Sequence, residues 1–286
     1  MNTVVCIKQV PDPELPVTAI VEKQQQRYIL NPYDEVALEE AVRIKEKVGQ
    51  GMVRAITIGP PSAEKTLRKC LAIGADDVIH VCNNVFDYLN PYATALILAK
   101  VIATLKYDII FCGFRSVDWG SSAVGSIVAE LLDLPVATGV IKLDISSDAK
   151  SAIASRRLAG GNREIVQCAL PAVFTVEKAL NTPRYPSVRR VIMASKKEIP
   201  KHDFGSLGLE QESVNSAVSL TKVLGISSRR PPQKIFTPSS DLPPAERMKQ
   251  LMSGGTSKAG GHVLKKPADE AAKEIVRFLI HTKVIS

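Results

Sequence analysis

The chain has 286 residues, 45% hydrophobic and 23% charged, an ordinary globular composition with enough apolar material for a sizeable core. Its net charge of +8 is spread along the sequence and aromatic residues are only 5%, which argues against a nucleic-acid-binding face and for a basic docking surface toward an acidic protein partner. No apolar run reaches about 18 residues and Met1-Asn-Thr-Val-Val-Cys-Ile runs directly into a strand, so neither membrane insertion nor secretion is expected, and a cytoplasmic protein is.

In chain order, Thr3 to Ile7 predicts an apolar strand, and Lys8-Gln-Val-Pro-Asp-Pro-Glu-Leu-Pro ends it, because three prolines in nine residues force a loop. Arg27 to Leu30 reads as the second strand of a hairpin. Asn31 stands as a cap and Pro32 in the first turn of a helix whose apolar face carries Val36, Ala37, Ala41, Val42 and Ile44, with Glu39, Glu40 and Glu46 on a solvated side. Val53 to Ile58 is a strand, Ser62 caps a helix to about Ile73, and Gly74 ends it. Val78 to Val81 is strand, Pro91 to Leu105 helix, and Asp108 to Cys112 strand again. This alternation predicts a parallel sheet with helices on both faces.

The stretch from Asp108 to Leu132 organises the rest. An apolar strand ends at Cys112-Gly113, a loop of small and polar residues follows, and a helix begins near Ser121. At the carboxyl end of a parallel strand, open N–H groups and the helix dipole favour an anion, so the stretch reads as a phosphate site.

After Pro135, strands at Gly139 to Leu143, Ser151 to Arg157, Glu164 to Cys168 and Ala172 to Val176 follow without intervening helices, which predicts antiparallel additions to the sheet. Residues 1–226 read as the α/β domain. Residues 227–286 read as an extended arm, turning at Ser239-Ser-Asp-Leu-Pro-Pro, flexible from Leu251 to Gly261, and ending in an amphipathic helix from Pro267 to His281. The five cysteines show no CxxC spacing, and the four histidines are scattered. Buried thiols in a reducing compartment are expected, with no metal and no disulfide framework. For Cys6 and Cys112 the backbone rather than the thiol is expected to matter.

Five stretches together resemble one family, the beta subunit of electron transfer flavoproteins. They are Val5-Cys-Ile-Lys-Gln-Val-Pro-Asp, Asn31-Pro-Tyr-Asp-Glu-Val-Ala-Leu-Glu-Glu-Ala-Val-Arg, Ala72-Ile-Gly-Ala-Asp, the Cys112-Gly to Val124-Gly loop, and Val176-Glu-Lys-Ala-Leu-Asn-Thr-Pro-Arg-Tyr-Pro-Ser followed by Ala194-Ser-Lys-Lys. They occur in the family's order and span residues 1 to about 235.

The resemblance implies a Rossmann-like, adenine nucleotide hydrolase-like fold. It also implies a heterodimer in which the alpha subunit holds an electron-carrying FAD while this subunit carries AMP or, in electron-bifurcating members that react with NADH, a second FAD. It implies no catalytic residue in this chain. On the family's pattern, Asp118, Gly120, Ser121, Ser122, Val124 and Gly125 hold phosphate. Cys6, Asn31, Pro32, Tyr33, Asp34 and Ile58 line adenine and ribose, Cys112, Gly113 and Ser116 are further cofactor contacts, and Thr94 is an added contact in the two-flavin version.

By the same resemblance, the loop from Asn181 to Lys197 meets an acyl-CoA dehydrogenase-type flavoenzyme through Val188, ringed by Arg184, Tyr185, Arg189, Arg190, Lys196 and Lys197. The last helix docks on the alpha subunit, and a membrane-associated quinone-reducing oxidoreductase is a further expected partner. Trp119-Gly-Ser-Ser-Ala stands where the family usually offers an acidic or amide-rich run, and residues 241–261 form an insertion expected to touch a partner. An ATP-binding enzyme of the related fold is the competing expectation, but it would need a glycine-rich loop after the first strand, where Lys8 to Pro16 holds no glycine.

Overall fold

A computed structural model describes residues 1–14, 27–82, 90–202, 205, 238–252 and 266–281. The chain divides into two compact units, Met1–Arg229 and Arg230–Ser286.

In the first unit the strands are β1 (Thr3–Ile7), β2 (Gln9–Pro11), β3 (Tyr28–Leu30), β4 (Val53–Gly59), β5 (Asp77–Cys82), β6 (Ile109–Gly113), β7 (Val136–Ile145), β8 (Ser151–Arg157), β9 (Arg163–Ala169), β10 (Ala172–Val176) and β11 (Lys201–His202). The helices are α1 (Pro32–Val48), α2 (Glu64–Ile73), α3 (Pro91–Ala103), α4 (Val124–Leu131) and α5 (Val188–Lys196). Nine strands form one sheet in the order β11-β5-β4-β1-β6-β10-β7-β8-β9. The run from β11 to β7 is parallel, while β8 and β9 are antiparallel. The expected α/β fold is present, but of the four strands expected as antiparallel additions only β8 and β9 are antiparallel, while β7 and β10 join the parallel run, and β2 pairs with β3 as the expected hairpin.

Every residue of β1 is buried, as a strand covered on both faces requires. Val5 and Ile7 face a core shared with Val36, Leu38, Val42, Leu67 and Ile73 of α1 and α2. Val4 and Cys6 face the opposite core, with Ile97, Leu98 and Ile102 of α3 and Val128 of α4. Gly74 closes α2 at φ +151°, donating its N–H to Cys70 O, and a Cβ there would press on Val42 at 3.0 Å. That geometry explains why a glycine ends this helix.

Several local expectations are corrected. Asn31 sits at the cap of α1, but its side chain makes no cap bond and is used elsewhere. Ser62 lies in a short 3-10 turn at Pro61–Ala63, its hydroxyl donating to Gln9 Oε1 at 3.2 Å, so it does not cap α2. The helix after the organising loop begins at Val124, three residues later than Ser121, because Gly120 and Ser122 take left-handed φ of 63° and 55°. Glu39 is buried rather than solvated. Part of the expected basic loop is helical: Ser187 Oγ accepts the Arg190 amide and starts α5.

The second unit holds α6 (Pro244–Met252) and α7 (Ala268–His281). The sequence predicts extended or flexible chain where α6 forms, because the prolines before it and the glycines after it obscure a short amphipathic helix. The rest of the expected flexible stretch, 253–261, lies outside the described residues, as does 206–237. No helix among the described residues is long and apolar enough to cross a membrane.

Candidate functional site: the loop at the sheet's switch point

From β1 the chain leads through α1 to β4 on one side of the sheet, whereas from β6, beside β1, it leads through α4 to β7 on the other side. The loops leaving β1 and β6 therefore diverge, opening the crevice in which open α/β sheets bind ligands. Lys8 follows β1 and residues 114–123 follow β6. The two loops meet: Lys8 Nζ pairs with Asp118 Oδ2 at 2.7 Å and donates to Ser116 Oγ at 3.4 Å. Burial alone would raise the Asp118 pKa, but the hydrogen bonds from Lys8 and Ser116 and the Lys8 charge outweigh it and hold the carboxyl below its ordinary value.

Asn31 and Asp34 brace this loop from below. Asn31 Nδ2 donates to Arg115 O at 3.0 Å and to Asp34 Oδ1 at 3.0 Å, and Asn31 Oδ1 accepts the Val117 amide at 3.3 Å. Asp34 accepts the Lys8 amide at 2.7 Å and the Gly113 amide at 3.1 Å, so one buried carboxylate ties the ends of β1 and β6 together. Burial pushes its pKa up to about 7 against the opposing pull of these donors. Gly113 and Gly125 are required by close packing: a Cβ at Gly113 would stand 2.2 Å from Asp34 Oδ1, and one at Gly125 2.4 Å from Thr175 Cγ2.

Beyond Gly120 the loop turns sharply into α4, whose cap position is Ala123 with no side-chain cap bond. Among the described residues, the amides of Val124, Gly125 and Ser126 have no backbone acceptor, so the helix start offers open N–H groups. Ser121 and Ser122 stand beside it as small hydroxyl residues. These groups fit a phosphate by their donor chemistry.

The first half of the loop borders a separate hollow of about 320 Å³, lined by Tyr33, Arg115, Ser116, Val117, Asp118, Trp119, Gly120 and Lys178. Arg115 Nε donates to Tyr33 OH at 2.9 Å, and both its guanidinium and the Lys178 ammonium lie over the Tyr33 ring, at 5.5 and 5.0 Å.

Of the residues the sequence proposed, Tyr33, Ser116, Asp118 and Gly120 line this hollow, Ser121 and Ser122 lie in the turn before α4, and Val124 and Gly125 are its first two residues. Asn31 and Asp34 turn inward as braces, and Pro32 fills the first turn of α1. Cys6 and Cys112 are buried, and Ile58 is the next-to-last residue of β4, two strands from β6. Thr94 donates its hydroxyl to Asn90 O at 3.0 Å within α3 and does not reach the hollow. Sequence reasoning passed over Lys8, Arg115, Trp119 and Lys178 as site residues. A cation directly after β1 and a second in the first positions after β6 were the available signals.

The segment 181–197 is fastened at both ends. Arg184 makes a forked ion pair with Glu39 at 2.8 Å and Glu46 at 2.6 Å, Arg190 donates to Ile73 O at 2.9 Å, and Lys197 donates to Asp76 O. These three basic side chains are held by contacts within the fold, while Arg190 and Lys197 remain exposed. Tyr185 and Val188, 98% and 76% exposed, remain outward with Arg189 and Lys196, and the helical turn adds exposed Val191, Ile192 and Met193.

A mostly parallel sheet with an open helix start at its switch point defines a Rossmann-like α/β protein suited to an anionic ligand. Comparison with known proteins carries this further. A family model described as "Electron transfer flavoprotein domain" matches residues 18–206. The chain is 40% identical over 233 residues to an electron transfer flavoprotein subunit beta of Thermoanaerobacterium thermosaccharolyticum, covering 80% of this chain and 88% of that one. It is 34% identical over 260 residues to the subunit of the same name in Bacillus subtilis, covering 88% and 96%. It is 36% identical over 239 residues to the caffeyl-CoA reductase-Etf complex subunit CarD of Acetobacterium woodii, covering 82% and 89%. The chain belongs to the electron transfer flavoprotein family, among its beta subunits, and its role is in electron transfer.

Proposed function

We propose that this chain pairs with an alpha subunit that holds an electron-carrying FAD, and that it binds AMP at the start of α4 as a structural ligand. The observation that supports the AMP site is the uncapped α4 amino terminus at the switch point, with three open amides and two serines before it. The FAD supplies the electron acceptance and release. This chain's residues hold the phosphate through the Ser121 to Gly125 backbone and fix the loop through Asn31, Asp34 and the Lys8–Asp118 pair.

The electron-delivering partner in this reading is an acyl-CoA dehydrogenase-type flavoenzyme, met by Tyr185, Val188, Arg189 and the exposed face of α5. Arg184 and Arg190 hold that helix against α1 and α2 so that its apolar face is presented without a large ordering cost on contact. An apolar centre with a few flanking cations suits a short-lived, quickly formed complex.

The test is to purify the chain with its alpha subunit, denature the complex and quantify the released nucleotides. One FAD and one AMP per heterodimer is the expected result. Two FADs and no AMP would replace this reading by one in which the chain carries a second flavin, and neither nucleotide would overturn the site altogether.

A further inference from the structure

Cys6 of β1 and Cys112 of β6 are direct partners in the parallel ladder. Neighbouring strands lie about 4.8 Å apart, inside the range of about 4.4–6.8 Å between Cα atoms that a disulfide spans. Both side chains project into the same core, beside Val4, Ile110 and Val128, and are only 7% and 4% exposed. The neighbouring Cys6 thiol, then burial, pushes the Cys112 thiol well above the ordinary range. A Cβ at Gly125 would lie 3.2 Å from Cys112 Cβ and 3.5 Å from its sulfur, so the first turn of α4 rests on Cys112. Among the described residues the remaining cysteines are placed differently. Cys82 pairs with Gly59 in the ladder, Cys168 with Ala152, and Cys70 lies on α2.

We propose that Cys6 and Cys112 are an oxidisable dithiol beneath the start of α4, a modification site that takes a hydroperoxide and closes to a disulfide. Cys6, the less buried of the two, reacts first. Its thiolate attacks one peroxide oxygen, the O–O bond breaks, and the departing hydroxide takes up the thiol proton as water, leaving Cys6 as a sulfenic acid. The Cys112 sulfur then attacks the Cys6 sulfur, the S–O bond breaks, and the hydroxyl leaves with the Cys112 proton as a second water. Two thiols lose two electrons, and one hydrogen peroxide becomes two waters. The new bond draws the Cys112 sulfur toward β1 and away from Gly125, withdrawing support from the turn that presents the open amides.

The test uses the purified complex with its alpha subunit. After treatment with hydrogen peroxide, digestion without reductant should convert the Cys6 and Cys112 peptides into one linked species that dithiothreitol separates. In the unfolded wild-type protein the thiol count should correspondingly fall by a reducible pair, a readout that needs no variant. Cys6→Ser or Cys112→Ser should abolish the linked species. Recovery of both peptides as free thiols, or of each as a separate sulfinic acid, would overturn the proposal. A second arm rests on the nucleotide reading: saturating AMP should slow formation of the link. An unchanged rate in protein shown independently to bind AMP would overturn the coupling to the α4 turn, while failure to bind AMP would count against the nucleotide reading alone.

Discussion

Asp34 Oδ1 accepts the Gly113 amide at 3.1 Å, and the same oxygen would stand 2.2 Å from a Cβ at position 113, with Tyr33 Cβ at 2.8 Å on another side. The end of β6 and the first turn of α1 are therefore fitted to each other without room for a methyl group. Gly113→Ala should destabilise the chain by about 1–3 kcal/mol, the usual cost of overpacking a rigid site. Chemical denaturation of both proteins measures it. Combined with Asp34→Ala, the two losses should fall short of additivity by about 1 kcal/mol, since the second change removes one of the atoms that the methyl meets. Full additivity would mean that the contact is relieved elsewhere.

Asp34 also sets a pH dependence. The groups around it are the Lys8 amide and ammonium, the Gly113 amide, the Asn31 side chain, and the Cys70 and Cys112 thiols. Its folded pKa of about 7 lies above the unfolded value of 3.8. Between those values the native state binds more protons than the unfolded chain, so this group makes stability fall as pH rises through that window. Asp34→Asn removes the titration. The stability of the wild type minus that of the variant should decrease from about pH 4 to about pH 7, followed by urea midpoints at each pH. A difference that stays flat would place the titration of Asp34 outside that window.

The frame of this site was legible in the sequence. Alternating apolar runs predict the sheet and both helical layers, because a parallel strand covered on both faces has to be apolar along its whole length. The loop after β6 was visible as small residues between a strand and a helix. The division of labour within that loop was not legible. Asn31 and Asp34 are polar residues at a helix start, where capping is the local default, and only tertiary contact with Lys8, Gly113 and Arg115 turns them into braces. Glu39 likewise shares the outer pattern of its helix with Glu40 and Glu46. It is buried because Arg184, distant in sequence, folds over it, and no local periodicity encodes that.

The Arg184–Glu39 pair has its own signature. The Glu39 side chain is 2% exposed and receives Arg184 and Arg43. Burial raises its pKa, but the hydrogen bonds from Arg184 and Arg43 outweigh it and hold it below the ordinary carboxylate range. Its contribution is therefore present above the unfolded pKa and lost as pH falls through the carboxylate range. Arg184→Met leaves that buried charge with Arg43 alone and should cost about 2–3 kcal/mol near neutral pH. Arg184→Met with Glu39→Met should cost less than the single change, because no uncompensated charge remains. Thermal unfolding of the three proteins decides it. A double variant weaker than Arg184→Met would mean that Glu39 serves Arg43 rather than Arg184.

Val188 offers the sharpest test of the docking face. It is 76% exposed at the first position of α5, on a helix whose Ala194 is buried and whose ends are fixed by Arg190 to Ile73 O and Arg68 to Ala194 O. A side chain so placed contributes little to the fold, so Val188→Glu should leave the unfolding midpoint and the flavin content of the complex unchanged. At the centre of a contact it would bury a charge against apolar surface. Electron exchange with an acyl-CoA dehydrogenase should then slow roughly tenfold, the scale of a modest interface hot spot. Val188→Leu should restore it. Stopped-flow reduction of the flavin at several dehydrogenase concentrations separates weakened association from slowed transfer. If the Glu variant exchanges electrons at the wild-type rate with its flavin intact, the partner meets another face of this subunit.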